Sequence, residues 1–134
     1  MLNLDTGTAI ALIAENSPVR HLLRSYIGNY SLVMTRTAVT EFISIVFTIG
    51  GVSEQKRANR LLKRIQIIPD SPSLRALNLT PTRKIGEQDI IILGTGDKLG
   101  IVTLTADSKA VKAAFAQGVE FQVYVHPPYP LTGQ

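Results

Sequence analysis

The chain has 134 residues, fourteen Lys and Arg against ten Asp and Glu for a net charge of +4, and no cysteine. That length suits one domain with its own core, and the missing cysteine excludes a disulfide framework, thiolate zinc sites and cysteine nucleophiles. No stretch reaches the ~20 apolar residues of a membrane span and the N-terminus lacks the basic flank of a secretory signal, so a cytoplasmic protein with no membrane partner is expected.

In chain order, the apolar triplet LNL (residues 2–4) reads as a buried strand ending on Asp5. A helix is expected over residues 8–14. Asn16, Ser17 and Pro18 break the chain, and Val19, Leu22, Leu23 and Tyr26 then recur at helical spacing until Gly28. SLVM (31–34) is a second strand. A helix opening near Thr37 follows and stops at Gly50 and Gly51. Ser53 is placed to cap the next helix, whose apolar Ala58, Leu61, Leu62 and Ile65 oppose Lys56, Arg57, Arg60, Lys63 and Arg64.

IQIIP (65–69) reads as a third strand. Residues 70–86, with two prolines, offer only a short helix around SLRALNL. QDIIILGTGDKLG follows as a helix with Asp89 in its first turn, although IIIL before GTG also suits a strand. A strand near IVTL, a helix from Ser108 to about Gln117 and a last strand FQVYV complete the alternation. Short apolar strands alternating with helices imply right-handed crossovers and a single-domain α/β/α sandwich with a mostly parallel central sheet of four or five strands. The domain is expected to span residues 1–126. Residues 127–134, with Pro127, Pro128 and Pro130, read as an irregular tail, either disordered or a docking arm.

In such sheets ligands bind beyond the carboxyl ends of the strands. Asp5 and Asp107 both follow strands at that edge, while Glu41 lies just over one turn inside its helix. Brought together with Asp89, these carboxylates would repel unless a hard cation such as Mg²⁺ or Mn²⁺ neutralised them. Taken singly, an Asp at a strand end or helix start is more often a helix cap than a ligand. The basic stripe on residues 56–64 is a candidate RNA-phosphate contact or a solvated helix face. His21 and His126 have no partner at metal spacing.

The motifs themselves resemble those of the PIN-domain family of metal-dependent nucleases, including its toxin ribonuclease branch. LNLDTGTAIALI is similar to the family's opening strand, Asp-Thr pair and helix; TRTAVTEFI to its second motif; and DIIILGTGDKLGIVTLTAD to its run from third to fourth acid. The resemblance covers nearly the whole chain. It implies that Asp5, Glu41, Asp89 and Asp107 are the catalytic, metal-binding acids, that Thr105 orients ligands, and that the protein is an Mg²⁺- or Mn²⁺-dependent endoribonuclease. It further implies RNA as substrate, a homodimer and an antitoxin protein as partner. Gly7 departs from the polar residue common after the Asp-Thr pair, and Asp97 stands where an apolar residue is usual. Two rival readings accompany it. One is a PIN-like RNA-binding or regulatory module with little nuclease activity. The other is a retroviral-type aspartic protease, suggested by DTG at Asp5 and by IIILGTGD, which would be an all-β dimer.

Overall fold

A computed structural model describes residues 1–134. Strands β1 (Leu2–Leu4), β2 (Leu32–Thr35), β3 (Gln66–Ile68), β4 (Thr103–Thr105) and β5 (Val123–Val125) form one sheet in the order β3-β2-β1-β4-β5, with every pairing parallel. Helices α1 (Thr6–Ile13) and α2 (Val19–Ile27) connect β1 to β2. Helices α3 (Arg36–Ile49) and α4 (Val52–Arg64) lead to β3, α5 (Leu74–Leu77) and α6 (Glu87–Leu99) to β4, and α7 (Ser108–Ala116) to β5. The five strands and seven helices exclude the all-β protease. No helix is long and apolar enough to cross a membrane.

Strand order steps outward from β1 in both directions, so right-handed crossovers send α1–α4 to one face and α5–α7 to the other. The core divides accordingly. One buried cluster joins Leu4, Ile13, Leu23, Met34, Phe42, Val46 and Leu61; a smaller one joins Ala76, Ile85, Leu93, Ala114 and Phe121. Burial on both faces explains why β1, β2 and β4 are continuous buried runs without alternation.

Several boundaries differ from the sequence reading because caps, not apolar spacing, decide where helices begin. Asp5 caps α1 by accepting from the Thr6 N–H, so α1 starts two residues earlier than expected. Thr35 caps α3 through the Ala38 N–H at 3.1 Å, whereas Thr37 is held by Asp70. Ser53 is not the cap of α4. Gly51 occupies that position, and Glu54, three residues on, accepts its N–H at 3.0 Å. The ambiguous IIIL stretch lies inside α6. There Gly96 lets the helix press on the sheet, since a Cβ would stand 2.2 Å from Thr103 Oγ1.

The tail is irregular as expected, but it neither leaves the body nor ends the packed unit at residue 126. Tyr129 and Leu131 pack against the larger core cluster. The Glu54 carboxylate, fully buried, accepts from the backbone N–H groups of Thr132, Gly133 and Gln134 at 2.9–3.1 Å, and from that of Glu15 at 3.0 Å. Gly51 permits this path, because a Cβ there would fall 2.1–2.2 Å from Gln134 backbone atoms.

Candidate active site

The sheet reverses direction at β1, and the crevice between β1 and β4 at the carboxyl edge is where such folds bind ligands. Asp5 leaves the end of β1 and Asp107 lies two residues beyond β4. Glu41 reaches the same place from the second turn of α3, and Asp89 from the first turn of α6. These four carboxylates line one cleft of about 340 Å³ together with Thr6, Gly7, Ala106 and Pro128.

Each acid is fixed by a hydrogen bond. Asp5 Oδ1 accepts from the Thr6 N–H at 2.8 Å and Oδ2 from the Thr105 hydroxyl at 2.6 Å. Thr105 Oγ1 in turn accepts the Asp107 N–H at 3.0 Å, so one buried threonine ties the first acid to the fourth. Asp107 caps α7 through the Ala110 N–H at 3.0 Å, and Asp89 accepts the Gly86 N–H at 2.9 Å. Thr6 Oγ1 donates to Glu41 Oε1 at 3.2 Å. The same acids that cap helices therefore also line one cleft: the N-termini of α1, α6 and α7 meet there, and their positive ends partly offset the gathered negative charge.

The offset is incomplete. Burial, opposed by the Thr105 and Thr6 hydrogen bonds and reinforced by Asp89 and Asp107, raises Asp5 to a pKa of about 6. Burial also raises Glu41, with Asp89 adding to it, and raises Asp89, with Asp107 adding to it. The acids thus sense one another across the cleft. No group of three or more His, Asp or Glu side chains stands close enough to form a ready-made metal cage. The donor set, four carboxylates with no nitrogen or sulfur, nevertheless suits a hard cation that would relieve this repulsion.

The remaining residues fall elsewhere. None of the five basic residues of α4 lines the cleft. Arg57 is engaged with Glu15 at 2.8 Å and with the Ile13 carbonyl at 2.7 Å, while Lys56, Arg60, Lys63 and Arg64 are exposed. Glu87 is an exposed first-turn carboxylate of α6. His126 is buried, with Nδ1 2.8 Å from the Pro127 carbonyl and Nε2 2.7 Å from Thr8 Oγ1; burial holds its pKa below the usual value. A larger open groove of about 1030 Å³ holds Asp97, but that carboxylate is paired with Arg75 at 2.6 Å and Glu120 is the one other acid lining the groove. Three cleft residues, Thr6, Ala106 and Pro128, escaped the sequence reading. Thr6 was visible only as the second half of the Asp-Thr pair, and Pro128 belongs to a tail with no pattern to place it. At Gly7 a Cβ would meet Ala106 at an ordinary 3.8 Å, so glycine is not forced there by space.

Over residues 8–134 the chain matches the family described as "Protein of unknown function (DUF1308)". It belongs to that family. The matched segment of DUF1308 includes Glu41, Asp89 and Asp107 and begins just after Asp5. Among solved structures, this DUF1308 chain is similar to VapBC2 from Rickettsia felis bound to a promoter DNA fragment. The identity is 14%, the TM-score 0.64, and the match covers 93% of this chain and 98% of that one. It is also similar to DNA-bound VapBC from Salmonella typhimurium, at 17% identity and TM-score 0.61, covering 92% and 96% of the two chains. A domain of a functionally unknown protein from Methanocaldococcus jannaschii matches at 17% identity and TM-score 0.58, covering 99% and 95%. At these identities the likeness shows the fold, and the fold is PIN-like, as the sequence motifs imply.

Proposed function

We propose that this DUF1308 protein is an Mg²⁺- or Mn²⁺-dependent endoribonuclease acting in the cytoplasm. The observation that supports this reading is the meeting of Asp5, Glu41, Asp89 and Asp107 in one cleft at the switch point of the sheet. Those four residues would hold the ion. When bound, it supplies an activated water and stabilises charge on the scissile phosphate.

The chain's own groups prepare the cleft for that role. Thr105 holds Asp5 Oδ2 and the Asp107 backbone in one arrangement, and Thr6 steadies Glu41, so the carboxylates are oriented before any ligand arrives. Asp5, with its pKa near 6, is largely ionised at neutral pH and becomes protonated in mild acid. No other residue type suited to nucleophilic attack lines the cleft apart from Thr6, whose hydroxyl is occupied by Glu41.

An antitoxin partner and a homodimer belong to the same proposal. They rest on the motif resemblance and on the similar VapBC structures. The second reading, a PIN-like RNA-binding or regulatory module with little nuclease activity, is favoured by the lack of a preformed metal cage. Incubating a panel of RNAs with Mn²⁺, Mg²⁺ or EDTA separates the two. Metal-dependent cleavage lost in Asp5→Asn and Asp89→Asn supports the nuclease. Cleavage undiminished in those variants rejects the site, and binding without cleavage selects the module.

A further inference from the structure

Where the C-terminus of α1 meets α2 and α4, five arginines gather with one carboxylate, Glu15, paired among them. Two of the five serve the fold. Arg57 Nε donates to the Ile13 carbonyl at 2.7 Å, and Arg20 donates to the carbonyls of Leu12, at 2.8 Å, and Ala14. They close the last turn of α1, whose carbonyls have no partner within the helix. Arg24, Arg60 and Arg64 have no such duty. The chain's two ion pairs, Arg57 with Glu15 and Arg75 with Asp97, leave all three guanidiniums unpaired and exposed.

These three, with Arg57, rim a cavity of about 180 Å³ whose floor is Leu12, Ile13, Ile27 and Leu61. Like charges so placed repel; burial and then Arg57 and Arg24 lower the pKa of Arg20 beside them. A fold that only needed α1 capped had no use for three further guanidiniums around an apolar floor. An external anion relieves the repulsion, and guanidinium forks suit phosphate oxygens. The apolar floor and the guanidinium planes also offer a surface for a base or ribose.

Helix α1 links this cavity to the acid cleft. Its first residue lies beside Asp5 and its last lines the cavity, a separation of about 10 Å from Thr6 to Ile13 at the helical rise. We propose that the arginine-rimmed cavity is a second anchoring site, taking a backbone phosphate of the same RNA strand whose scissile bond enters the acid cleft. This inference rests on the ribonuclease reading for its choice of ligand. Exposed Lys56 and Lys63 continue the positive track along α4.

The test is binding of a fluorescent oligouridylate to the full chain in EDTA, read by anisotropy across a salt series, with folding checked by circular dichroism. Arg24→Ala/Arg60→Ala/Arg64→Ala is expected to bind tenfold or more weakly. The log–log salt slope should fall by about 0.7, the change for one lost phosphate contact on a single strand. The matching triple Arg→Lys variant should keep most of the slope. Unchanged affinity and slope in the alanine variant overturns the site. Unlabelled polyglutamate competing as well as unlabelled oligouridylate overturns RNA as its ligand, whereas competition by oligouridylate alone supports it. Because EDTA prevents metal-dependent cleavage, arginine-dependent binding by a protein that never cuts RNA would reject the nuclease and keep the site. Cleavage without such binding would do the reverse.

Discussion

Asp5 carries two opposed demands. Its ionised form would be wanted by the proposed cation and is resisted by burial and by its acidic neighbours. In the metal-free fold it holds a proton from about pH 4 to about pH 6, where the unfolded chain has already released it. Folding therefore takes up a proton across that window, and stability falls as pH rises through it. Asp5→Asn removes this cost but keeps only one acceptor oxygen for the two donors that Asp5 serves, the Thr6 N–H and the Thr105 hydroxyl. In EDTA at pH 8 it should stabilise the protein by about 1–2 kcal/mol, a value discounted for the cleft's partial exposure, and the gain should vanish near pH 4. Cleavage should fall by about a hundredfold or more. Paired denaturation curves and RNA assays check both halves; a variant less stable than wild type at pH 8 would contradict the electrostatic account. At this scale the sequence was informative where a residue's role is set by its neighbours in the chain. Asp5 after LNL and Asp89 after Gly86 occupy legible strand-end and helix-start positions. Thr6 and Arg57 were less legible, because their partners Glu41 and Glu15 lie 35 and 42 residues away.

Among the elements, α4 shows how a local pattern hides a distant bond. Its apolar stripe identifies the helix, yet its start depends on Glu54, whose carboxylate serves the chain's last three residues as well as Gly51 and Glu15. Burial alone would raise the pKa of Glu54, but the N–H groups of Thr132, Glu15, Gly51 and Gly133 outweigh it and hold it at about 2. With the folded value depressed, the contribution is present above the unfolded value near 4.5 and disappears as pH falls from there towards 2. Glu54→Ala should cost about 3 kcal/mol at pH 7, shrinking towards pH 2, and should free residues 132–134 to exchange their amide hydrogens. Urea titrations with hydrogen exchange measure this, and a tail that stays protected would refute the carboxylate's role. Proline content made residues 127–134 look detached, since nothing in their own composition names Glu54 as a receptor. Helix α6 offers the complementary case. Gly94 and Gly96 weaken it as an isolated helix, which is why IIIL looked equally like a strand. Gly96→Ala gains ~1 kcal/mol of helix propensity but overpacks Thr103 and Asn3. A net loss of about 1–2 kcal/mol by chemical denaturation is expected; a stabilised variant would show that the helix can back away from the sheet.

For the whole molecule, the decisive arrangement is topological. Helices α1, α6 and α7 follow strands or loops that end at one edge, so their N-termini meet at the reversal between β1 and β4 and carry Asp5, Asp89 and Asp107 with them. No single segment encodes that meeting; it follows from parallel pairing and the handedness of the crossovers. Metal binding should then be coupled to protons, because Asp5, Glu41 and Asp89 all hold their protons above the usual carboxylate range. An ion must displace those protons, so its affinity falls as pH drops through about 6. At a Mn²⁺ concentration about a hundredfold above the dissociation constant, stabilisation approaches ~2.7 kcal/mol, or about 8–10 °C in a domain of this size. A shift of that order is expected at pH 8, and a much smaller one at pH 5 at the same metal concentration. EDTA should reverse it, and Asp5→Asn/Asp89→Asn should abolish it at both pH values. A shift equal at the two pH values would mean that the ion binds carboxylates outside the cleft, as would one that survives in the double variant. A shift that follows the protonation of the cleft acids would tie the cation to the edge of the sheet where they meet.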